Sequence, residues 1–500
     1  MAKFLFTMLL ANDLGLPTRL VPIARALADR GHEVAVFNPA PAPAKLIAEA
    51  GLQNLPMPSR PMPAPVIDLA QAGSAWDVEE FFAALYFDEE STRGETAVYV
   101  DLISDYDPDV VVDSFGLLTC LAARVLAVPL VTVLQGNIHP ASDGFLWWKE
   151  DRPTGLPSAA AVINKVAAEY GIEPVQRCAD LMAGNLSLIL GTPETDPLPA
   201  SANVQYVGPI VWQREKARLP EWVDALGRDK RLIWVYSGNP RYANAPTPID
   251  SIVVIRAAIE ALGDMPVHVV LTTGYQALPE EVGALPANFT HAAYLPGLAM
   301  AERCDLMVHH GGHGSVMTGL QAGTPAVIVP TITERESNAR RLVALGAGEI
   351  VMPVTRADGE KALDAAEFGA AVTRVLKDVA YRHSAKRVSE SMRQYAGANP
   401  PPTRSNNSQR ASADSPSRYT ERVHSRTGLD KLYGTTEVGP FPNLCGPCFS
   451  GKLPSRMRKK LLCWEISEPQ GDATPLTKFR KKARFPKLWP TMPGHVFFVR

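Results

Sequence analysis

HHGGHGS, residues 309–315, lies between an apolar run and a helical pattern of apolar residues. Residues 306–308 have the composition of a buried strand, and apolar residues at helical spacing continue to Ala322. The segment therefore predicts a strand, a glycine turn and the first turn of a helix. Glycines let the backbone approach a ligand closely, and a helix N-terminus offers free N–H groups and the positive end of a dipole. We expect an anionic group here, most simply a phosphate; the alternative is a tight turn with a surface histidine.

Alternating strand and helix patterns extend on both sides of this turn. In the second half, strands are expected at residues 232–236, 267–272, 306–308 and 326–329, and helices at 252–262, 315–322 and 339–345. In the first half, strands are expected at residues 3–10, 33–37, 109–112 and 130–134, with helices at 18–29 and from near Leu118. Gly31 stands where a glycine would end the first of these helices. Continuous apolar strands that alternate with helices indicate parallel sheets covered on both faces.

The chain divides where this alternation stops. Residues 209–229 are mostly polar and charged and form a predicted linker between an N-terminal domain at 1–208 and a second domain at 230–396. The expected fold class is α/β, with two doubly wound parallel sheets in tandem and an irregular tail. Ligands of such sheets bind beyond the carboxyl ends of the strands, so the cleft between the domains is the expected site.

Residues 397–500, the tail, differ in composition from everything before them. Residues 401–500 carry 18 Lys and Arg against 7 Asp and Glu, whereas residues 1–400 carry 32 against 45. The proline-rich start of the tail has no periodicity that could build a core, so a disordered tail is expected, and out-of-frame translation is one hypothesis for its origin. A basic segment also suits weak association with an anionic membrane. We expect no specific binding of nucleic acid.

The remaining composition favours a cytoplasmic globular protein without a metal site. The six cysteines are scattered, and residues 4–11 are apolar but too short to span a bilayer. The lone Cys445-Gly-Pro-Cys448 lacks the second ligand pair that a zinc site needs. Asp107-Pro-Asp109 has the form of a DxD metal motif, but it precedes a strand, whereas sites form beyond the carboxyl ends of strands.

A series of short motifs around the glycine turn resembles the signature of a known family. The motifs are Tyr294-Leu-Pro-Gly297, residues 310–315, Gly323-Thr-Pro325, Pro330, Glu334-Arg335 and Asn338-Ala339, with Gly31-His-Glu-Val34 and Val207-Gly-Pro209 in support. Together they resemble the UDP-glycosyltransferase superfamily, glycosyltransferase family 1, and especially its bacterial natural-product and macrolide-type members. The resemblance covers residues 1–396. It implies the GT-B fold, in which two Rossmann-like domains face each other and the second binds a nucleotide-sugar.

The resemblance implies a phosphate cradle that holds the donor diphosphate. The cradle consists of His310 and the backbone N–H groups of Gly312, His313, Gly314 and Ser315. Fixed donors and a helix dipole stabilise the charge of the departing diphosphate without a metal ion. Residues Ser237, Gly238 and Asn239 resemble the glycine turn that meets the phosphates from the linker side.

The resemblance also implies contacts to the base and the sugar. Leu295 matches the position whose backbone pairs with the base, and Glu334 matches the acidic residue that accepts hydrogen bonds from sugar hydroxyls. Arg335 stands where relatives often have glutamine. For Glu334 and Arg335 the alternative is a surface ion pair.

The loop after the first strand departs from the family pattern. In relatives, a glycine here is followed by a catalytic histidine, but Gly15 is followed by Leu16, which cannot accept a proton. Asp113 matches the aspartate that orients the missing histidine, and Asp13 lies in the same loop as Leu16. Both are candidate bases, since burial raises the pKa of a carboxylate. The alternative for Asp113 is that it has no function once the histidine is absent. The alternative for Asp13 is that it caps the following helix.

Two further departures concern the nucleotide and the end of the fold. Thr318 replaces a glutamate that accepts hydrogen bonds from the ribose, so a donor without the 2′-hydroxyl, such as a thymidine diphosphate sugar, is expected to lose less affinity. The family's last helix crosses back to the N-terminal domain, but here the helical pattern at 366–393 runs into the tail. Without that return, domain closure and activity would both be impaired.

These patterns favour a metal-independent, inverting glycosyltransferase that moves a hexose from a UDP- or TDP-sugar to a hydroxyl of a lipophilic small molecule. No cofactor beyond this co-substrate is expected. The acceptor side is expected to include Gly15, Leu16, Phe145 and Trp148, although core or lid packing explains the aromatic residues equally well. The second hypothesis is a catalytically impaired homologue or auxiliary protein that binds nucleotide-sugars. A sugar-nucleotide epimerase would need further acid–base side chains, which the sequence does not place.

Overall fold

A computed structural model describes residues 1–149, 151–212, 218–243 and 246–395. These residues form two parallel sheets packed between helices, which confirms the predicted fold class. The predicted tail at 397–500 lies outside the described residues. Within the described part of the chain, no helix has the length and apolar character that a membrane crossing requires.

The first sheet contains seven parallel strands. Its strands are β1 (Lys3–Met8), β2 (Glu33–Val36), β3 (Gln53–Asn54), β4 (Val110–Ser114), β5 (Leu130–Leu134), β6 (Leu186–Ile189) and β7 (Val204–Tyr206). Its helices are α1 (Pro17–Asp29), α2 (Pro41–Glu49), α3 (Leu69–Ser74), α4 (Val78–Ala83), α5 (Glu89–Tyr106), α6 (Leu117–Val125) and α7 (Ala160–Glu169). The strand order is β3-β2-β1-β4-β5-β6-β7, so the connections change direction between β1 and β4. The loops after these two strands therefore border a crevice where ligands of such sheets bind.

The second sheet contains six parallel strands. After α8 (Glu221–Asp224), its strands are β8 (Arg231–Tyr236), β9 (Val267–Thr272), β10 (Phe289–Ala292), β11 (Leu306–His309), β12 (Ala326–Ile328) and β13 (Gly348–Ile350). The helices are α9 (Ile252–Leu262), α10 (Gly297–Arg303), α11 (His313–Ala322), α12 (Thr333–Ala344), α13 (Ala365–Lys377) and α14 (Val379–Met392), and a small hairpin joins β14 (Val354–Thr355) to β15 (Lys361–Ala362). The strand order is β10-β9-β8-β11-β12-β13.

Each sheet separates two hydrophobic cores, which explains the continuous apolar strands. Along β1, Phe4 and Phe6 belong to one core while Leu5 belongs to the other. Along β8, Ile233 and Trp234 alternate in the same way. Because both faces of these strands are buried, no polar face interrupts their sequence.

Helix α12 begins earlier than the hydrophobic pattern predicts. The expected helix spans residues 339–345, whereas α12 begins at Thr333. Its first turn contains the polar residues Glu334, Arg335 and Glu336, which carry no apolar signal. In this polar turn, Glu334 contacts the N-terminal domain and Arg335 contacts its own domain, as described below.

The sequence predicts that no final helix contacts the N-terminal domain. This prediction is wrong, because the last described helix and the residues after it do contact that domain. The pattern at 366–393 forms two helices, because Asp378 ends α13 and caps α14 by accepting from Ala380 N. From α14, Arg387 forms a 2.6 Å salt bridge with Glu194. Beyond it, a Cβ atom on Gly208 would lie 2.9 Å from Tyr395 O, so the segment that follows α14 packs closely on the N-terminal domain.

Candidate functional site

A cleft of about 300 Å³ lies between the two domains at the carboxyl ends of their strands. Thirteen of the predicted site residues line it. They are Asp13, Gly15, Gly238, Asn239, Leu295, His310, Gly312, His313, Gly314, Ser315, Thr318, Glu334 and Arg335. The other five, Ser237, Asp113, Leu16, Phe145 and Trp148, are not among its lining residues.

The phosphate cradle is a turn built around the His310 ring. β11 ends at His309 and α11 begins at His313, so the turn between them is three residues long. A Cβ atom on Gly312 would lie 2.7 Å from His310 Nε2, and one on Gly238 would lie 2.9 Å from His310 Cε1. Glycines at both positions therefore let the imidazole fit between the two turns. Gly238 also has φ +67°, which disfavours other residues.

The His310 imidazole is neutral, and one of its ring nitrogens has no hydrogen-bond partner among the described residues. Burial, together with Arg335 and His309, holds the pKa of His310 well below its usual value. Within the described residues, its Nδ1 is buried without a hydrogen-bond partner. The backbone N–H groups of Gly312, His313 and Gly314 at the start of α11 lie beside it at the cleft. The predicted donor Ser315 N instead donates to Gly312 O at 2.9 Å, so it is not free for a ligand. Neutral donors in this arrangement can stabilise an anion at a helix N-terminus.

The neighbouring positions present backbone and small polar groups to the cleft. Leu295 is 4% exposed, and the adjacent Tyr294 ring stacks on Tyr275 with centroids 4.2 Å apart. Thr318 donates its hydroxyl to Gly314 O at 2.7 Å, which leaves a neutral oxygen facing the cleft. On the opposite side, Asn239 Oδ1 accepts from Arg241 N and the Ser237 hydroxyl is buried beneath the turn.

Glu334 is hydrogen-bonded to the N-terminal domain. Its Oε1 accepts from Gln135 Nε2 at 2.5 Å and from Asn338 Nδ2 at 2.8 Å. Asn137 Nδ2 in turn donates to Asn338 Oδ1 at 3.1 Å. The carboxylate predicted to contact the sugar therefore takes part in the contact between domains, and it forms no ion pair with Arg335.

Arg335 holds a loop of its own domain. Its Nη1 donates to Ile249 O, Ser251 Oγ and Thr331 Oγ1 at 2.8, 3.2 and 2.5 Å. The side chain is 8% exposed, so these bonds replace lost hydration. Arg335 thus holds the loop that follows Asn239 by hydrogen bonds. The same side chain also lines the cleft.

His313 pairs with a carboxylate of the N-terminal domain. Its Nε2 lies 3.0 Å from Asp196 Oδ1, and both residues are buried. Burial alone would raise the pKa of Asp196, but His313 and hydrogen bonds from Gly136 N and Thr195 Oγ1 lower it overall. The first residue of α11 is therefore held from across the cleft.

The two candidate bases have different surroundings. Asp13 lies in the cleft, and its Oδ1 accepts from Gly15 N at 2.9 Å. It does not cap α1, because the N-cap residue is Leu16 without a side-chain hydrogen bond; the capping interpretation is wrong. Asp113 is fully buried and accepts from Thr7 Oγ1 and Gly116 N, and burial raises its pKa to about 7.

The aromatic residues assigned to the acceptor side do not face the cleft. Phe145 is 1% exposed and belongs to a hydrophobic core. The Trp148 ring lies 4.3 Å from the Arg340 guanidinium, and Trp147 makes the same kind of contact with Arg341. This aromatic loop therefore packs against α12 of the other domain through cation–π contacts.

Sequence reasoning missed three polar residues of the N-terminal domain at this interface. Arg19, Gln135 and Asp196 are all buried, and Arg19 lines the cleft. Gln135 and Asp196 follow apolar strands, at positions where functional side chains collect, but no motif marks them. Their partners lie 199 and 117 residues away in sequence.

Comparisons with known proteins agree with this geometry. Residues 256–407 match the model of the erythromycin biosynthesis protein CIII-like C-terminal domain. The chain is 24% identical over 333 residues to a PGL/p-HBAD biosynthesis glycosyltransferase of Mycobacterium tuberculosis, covering 61% of this chain and 72% of that protein. The structure of CalG4, the calicheamicin glycosyltransferase, matches with TM-score 0.59 and 21% identity over 80% of this chain and 96% of that one. Glycosyltransferase VinC in complex with DTDP matches with TM-score 0.56 and 20% identity over 79% and 96%. The chain is thus similar in sequence to bacterial glycosyltransferases, and its two domains have the fold of the GT-B natural-product glycosyltransferases.

Proposed function

We propose that this glycosyltransferase moves a hexose from a nucleoside-diphosphate donor to a hydroxyl of a lipophilic small molecule, with inversion and without a metal ion. The observation that carries the proposal is the phosphate cradle. A neutral, buried His310 and the first amides of α11 border the cleft opposite the N-terminal domain. These donors can stabilise the negative charge that develops on the departing diphosphate.

The direction of attack supports inversion. The cradle belongs to the second domain, whereas Asp13 and Gly15 lie on the opposite wall of the cleft. An acceptor bound at that wall approaches the anomeric carbon from the side away from the diphosphate, so direct displacement inverts the carbon. Asp13 is the candidate base, because Asp113 points into the core.

The nature of the relatives supports a natural-product acceptor. The CalG4 structure is a calicheamicin glycosyltransferase, and the VinC structure contains DTDP. In this chain Thr318 offers no charge to a ribose, so we propose that a thymidine diphosphate sugar is accepted at least as well as a UDP-sugar.

Calorimetric titration of UDP and TDP into wild type and His310→Ala tests the cradle. Loss of the ring should weaken both nucleotides by about tenfold or more, the scale of a hydrogen bond to a charged group. His383→Ala, an exposed histidine on α14, is the matched control and should bind like wild type. Unchanged affinity in His310→Ala would contradict the proposal, and a strong preference for UDP would contradict the nucleotide assignment.

An impaired, nucleotide-binding homologue is the second candidate function, and Leu16 is the observation that favours it. Leu16 packs partly buried against the hydrophobic cores and offers no proton acceptor. Assays of donor hydrolysis and acceptor glycosylation distinguish the two functions. If only Leu16→His transfers sugar while wild type merely binds nucleotide, the second candidate is correct.

A further inference from the structure

Arg19 is a buried cation on the acceptor side of the cleft. It lies one turn along α1 from Leu16, is 7% exposed and lines the cleft. Its Nη1 donates to Gln135 Oε1 at 2.9 Å, whereas its Nε is buried without a partner. Among the residues that the structure describes, no carboxylate forms a salt bridge with it. A buried charge without a counter-ion is costly, so this arrangement points to an anion that completes it.

The carboxylates near Arg19 do not supply that anion. Burial lowers the pKa of Arg19, and the charges of Glu334, Asp196 and Asp13 oppose this shift. Each of the three already accepts a hydrogen bond from another group. They favour the cationic form of Arg19 from a distance, and its buried Nε keeps an N–H without an acceptor.

The donor diphosphate is not the expected occupant either. The phosphate cradle supplies its own donors from the second domain, whereas Arg19 belongs to the N-terminal domain. Arg19 lies on the wall of the cleft that also carries Asp13 and Gly15, where the proposed transfer places the acceptor. An ionised acceptor oxygen is therefore the anion that fits beside Arg19.

We infer that Arg19 binds the ionised oxygen of the acceptor, and that the acceptor is a phenol rather than an aliphatic alcohol. The inference rests on the proposed glycosyl transfer. The phenol passes its proton to the carboxylate of Asp13, the candidate base on the same wall of the cleft, and the phenolate oxygen then forms a bond to the anomeric carbon. The bond from that carbon to the diphosphate oxygen breaks, and its electron pair leaves with the diphosphate. An aliphatic alcohol is a far weaker acid than a phenol, so it would need a stronger base than a carboxylate, and Leu16 offers none.

Binding of 4-nitrophenol tests this role without relying on turnover, because its phenolate is yellow. In the presence of wild type and TDP, the bound phenol should ionise at a lower pH than the free phenol. Arg19→Gln should abolish that shift, and Arg19→Lys, which keeps the charge, should retain part of it. Arg25→Gln is the matched control, since Arg25 lies on the same helix but is exposed and paired with Asp29 at 2.6 Å. Melting temperature and TDP affinity, which depends on the other domain, report whether each variant is folded.

Three results of this titration would overturn the inference. They are a failure of 4-nitrophenol to bind, an unshifted ionisation in wild type, and a shift that Arg19→Gln retains. A purely structural role for Arg19 would weaken binding of the phenol without moving the pH at which the bound phenol ionises.

Transfer assays with substituted phenols and matching benzyl alcohols give a second test. Wild type should prefer phenols by about tenfold or more in kcat/KM, the scale of one hydrogen bond to a charged group, and Arg19→Gln should lose that preference. Equal rates with alcohols would overturn the phenol assignment while leaving the proposed transferase intact. Absence of all transfer with intact TDP binding would contradict the transferase proposal itself, and the titration of 4-nitrophenol would still decide the role of Arg19.

Discussion

Gly238 determines whether the His310 ring can occupy its place in the phosphate cradle. It has φ +67°, and a Cβ atom there would lie 2.9 Å from His310 Cε1. Gly238→Ala should therefore strain the turn and displace the imidazole, because the left-handed conformation alone costs about 1–2 kcal/mol. We expect TDP affinity, measured by calorimetry, to fall by about tenfold. Gly369→Ala is the control, since its Cβ would meet Ala261 at an ordinary 3.5 Å. Wild-type affinity in Gly238→Ala would show that His310 does not depend on this turn.

At the residue scale, sequence reasoning succeeds where the interacting groups are neighbours in sequence. The turn of the cradle lies within residues 309–315, so its glycines and the start of α11 could be predicted locally. Arg19 and Gln135 are 116 residues apart, and nothing in either segment indicates the other. Phe145 was assigned to the acceptor wall because aromatic composition does not distinguish a ligand surface from a core.

Helix α14 packs against α11, the helix whose first turn forms part of the phosphate cradle. Its apolar face, which includes Val388 and Met392, belongs to the same hydrophobic core as Val316 and Leu320 of α11. Met392→Ala should leave a cavity under α11 and destabilise the protein by about 2–5 kcal/mol, measured by denaturant unfolding. Because α11 carries the cradle amides, we also expect weaker TDP binding.

The exposed residue Glu390 on the same helix provides the comparison for Met392. Glu390→Ala should change the free energy of unfolding by less than about 0.5 kcal/mol. If both variants lose similar free energy of unfolding, α14 does not stabilise the protein by packing on α11. The hydrophobic pattern predicted this helix, but Asp378, which separates α13 from α14, carries no apolar signal and so escaped the prediction.

At the scale of the whole molecule, the N-terminal domain contacts the segments of the second domain that form the phosphate cradle and the start of α12. Gln135, Asn137 and Asp196 contact Glu334, Asn338 and His313 respectively. The alternation of strands and helices predicted both domains, but the relative position of two domains depends on pairs of residues far apart in sequence. Periodicity carries no information about such pairs, so the sequence predicts the cleft between the domains but not the residues that contact each other across it.

The buried pair Asp196–His313 should make the stability of this interface depend on pH. The folded-state pKa of Asp196 lies below the unfolded value of about 3.9. The stability that its carboxylate contributes is therefore complete above that pH and is lost as pH falls through the folded pKa.

At pH 7, Asp196→Asn should lower the free energy of unfolding by about 1.5–3 kcal/mol and increase the separation of the domains in small-angle X-ray scattering. The difference from wild type should shrink below about pH 4, where wild-type Asp196 also takes up a proton. Glu194→Gln breaks another interdomain ion pair, with Arg387, but this pair is partly exposed and should contribute about 0–1 kcal/mol. If the two variants lose equal stability, or if the effect of Asp196→Asn is constant down to pH 3, the buried pair does not lock the domains together.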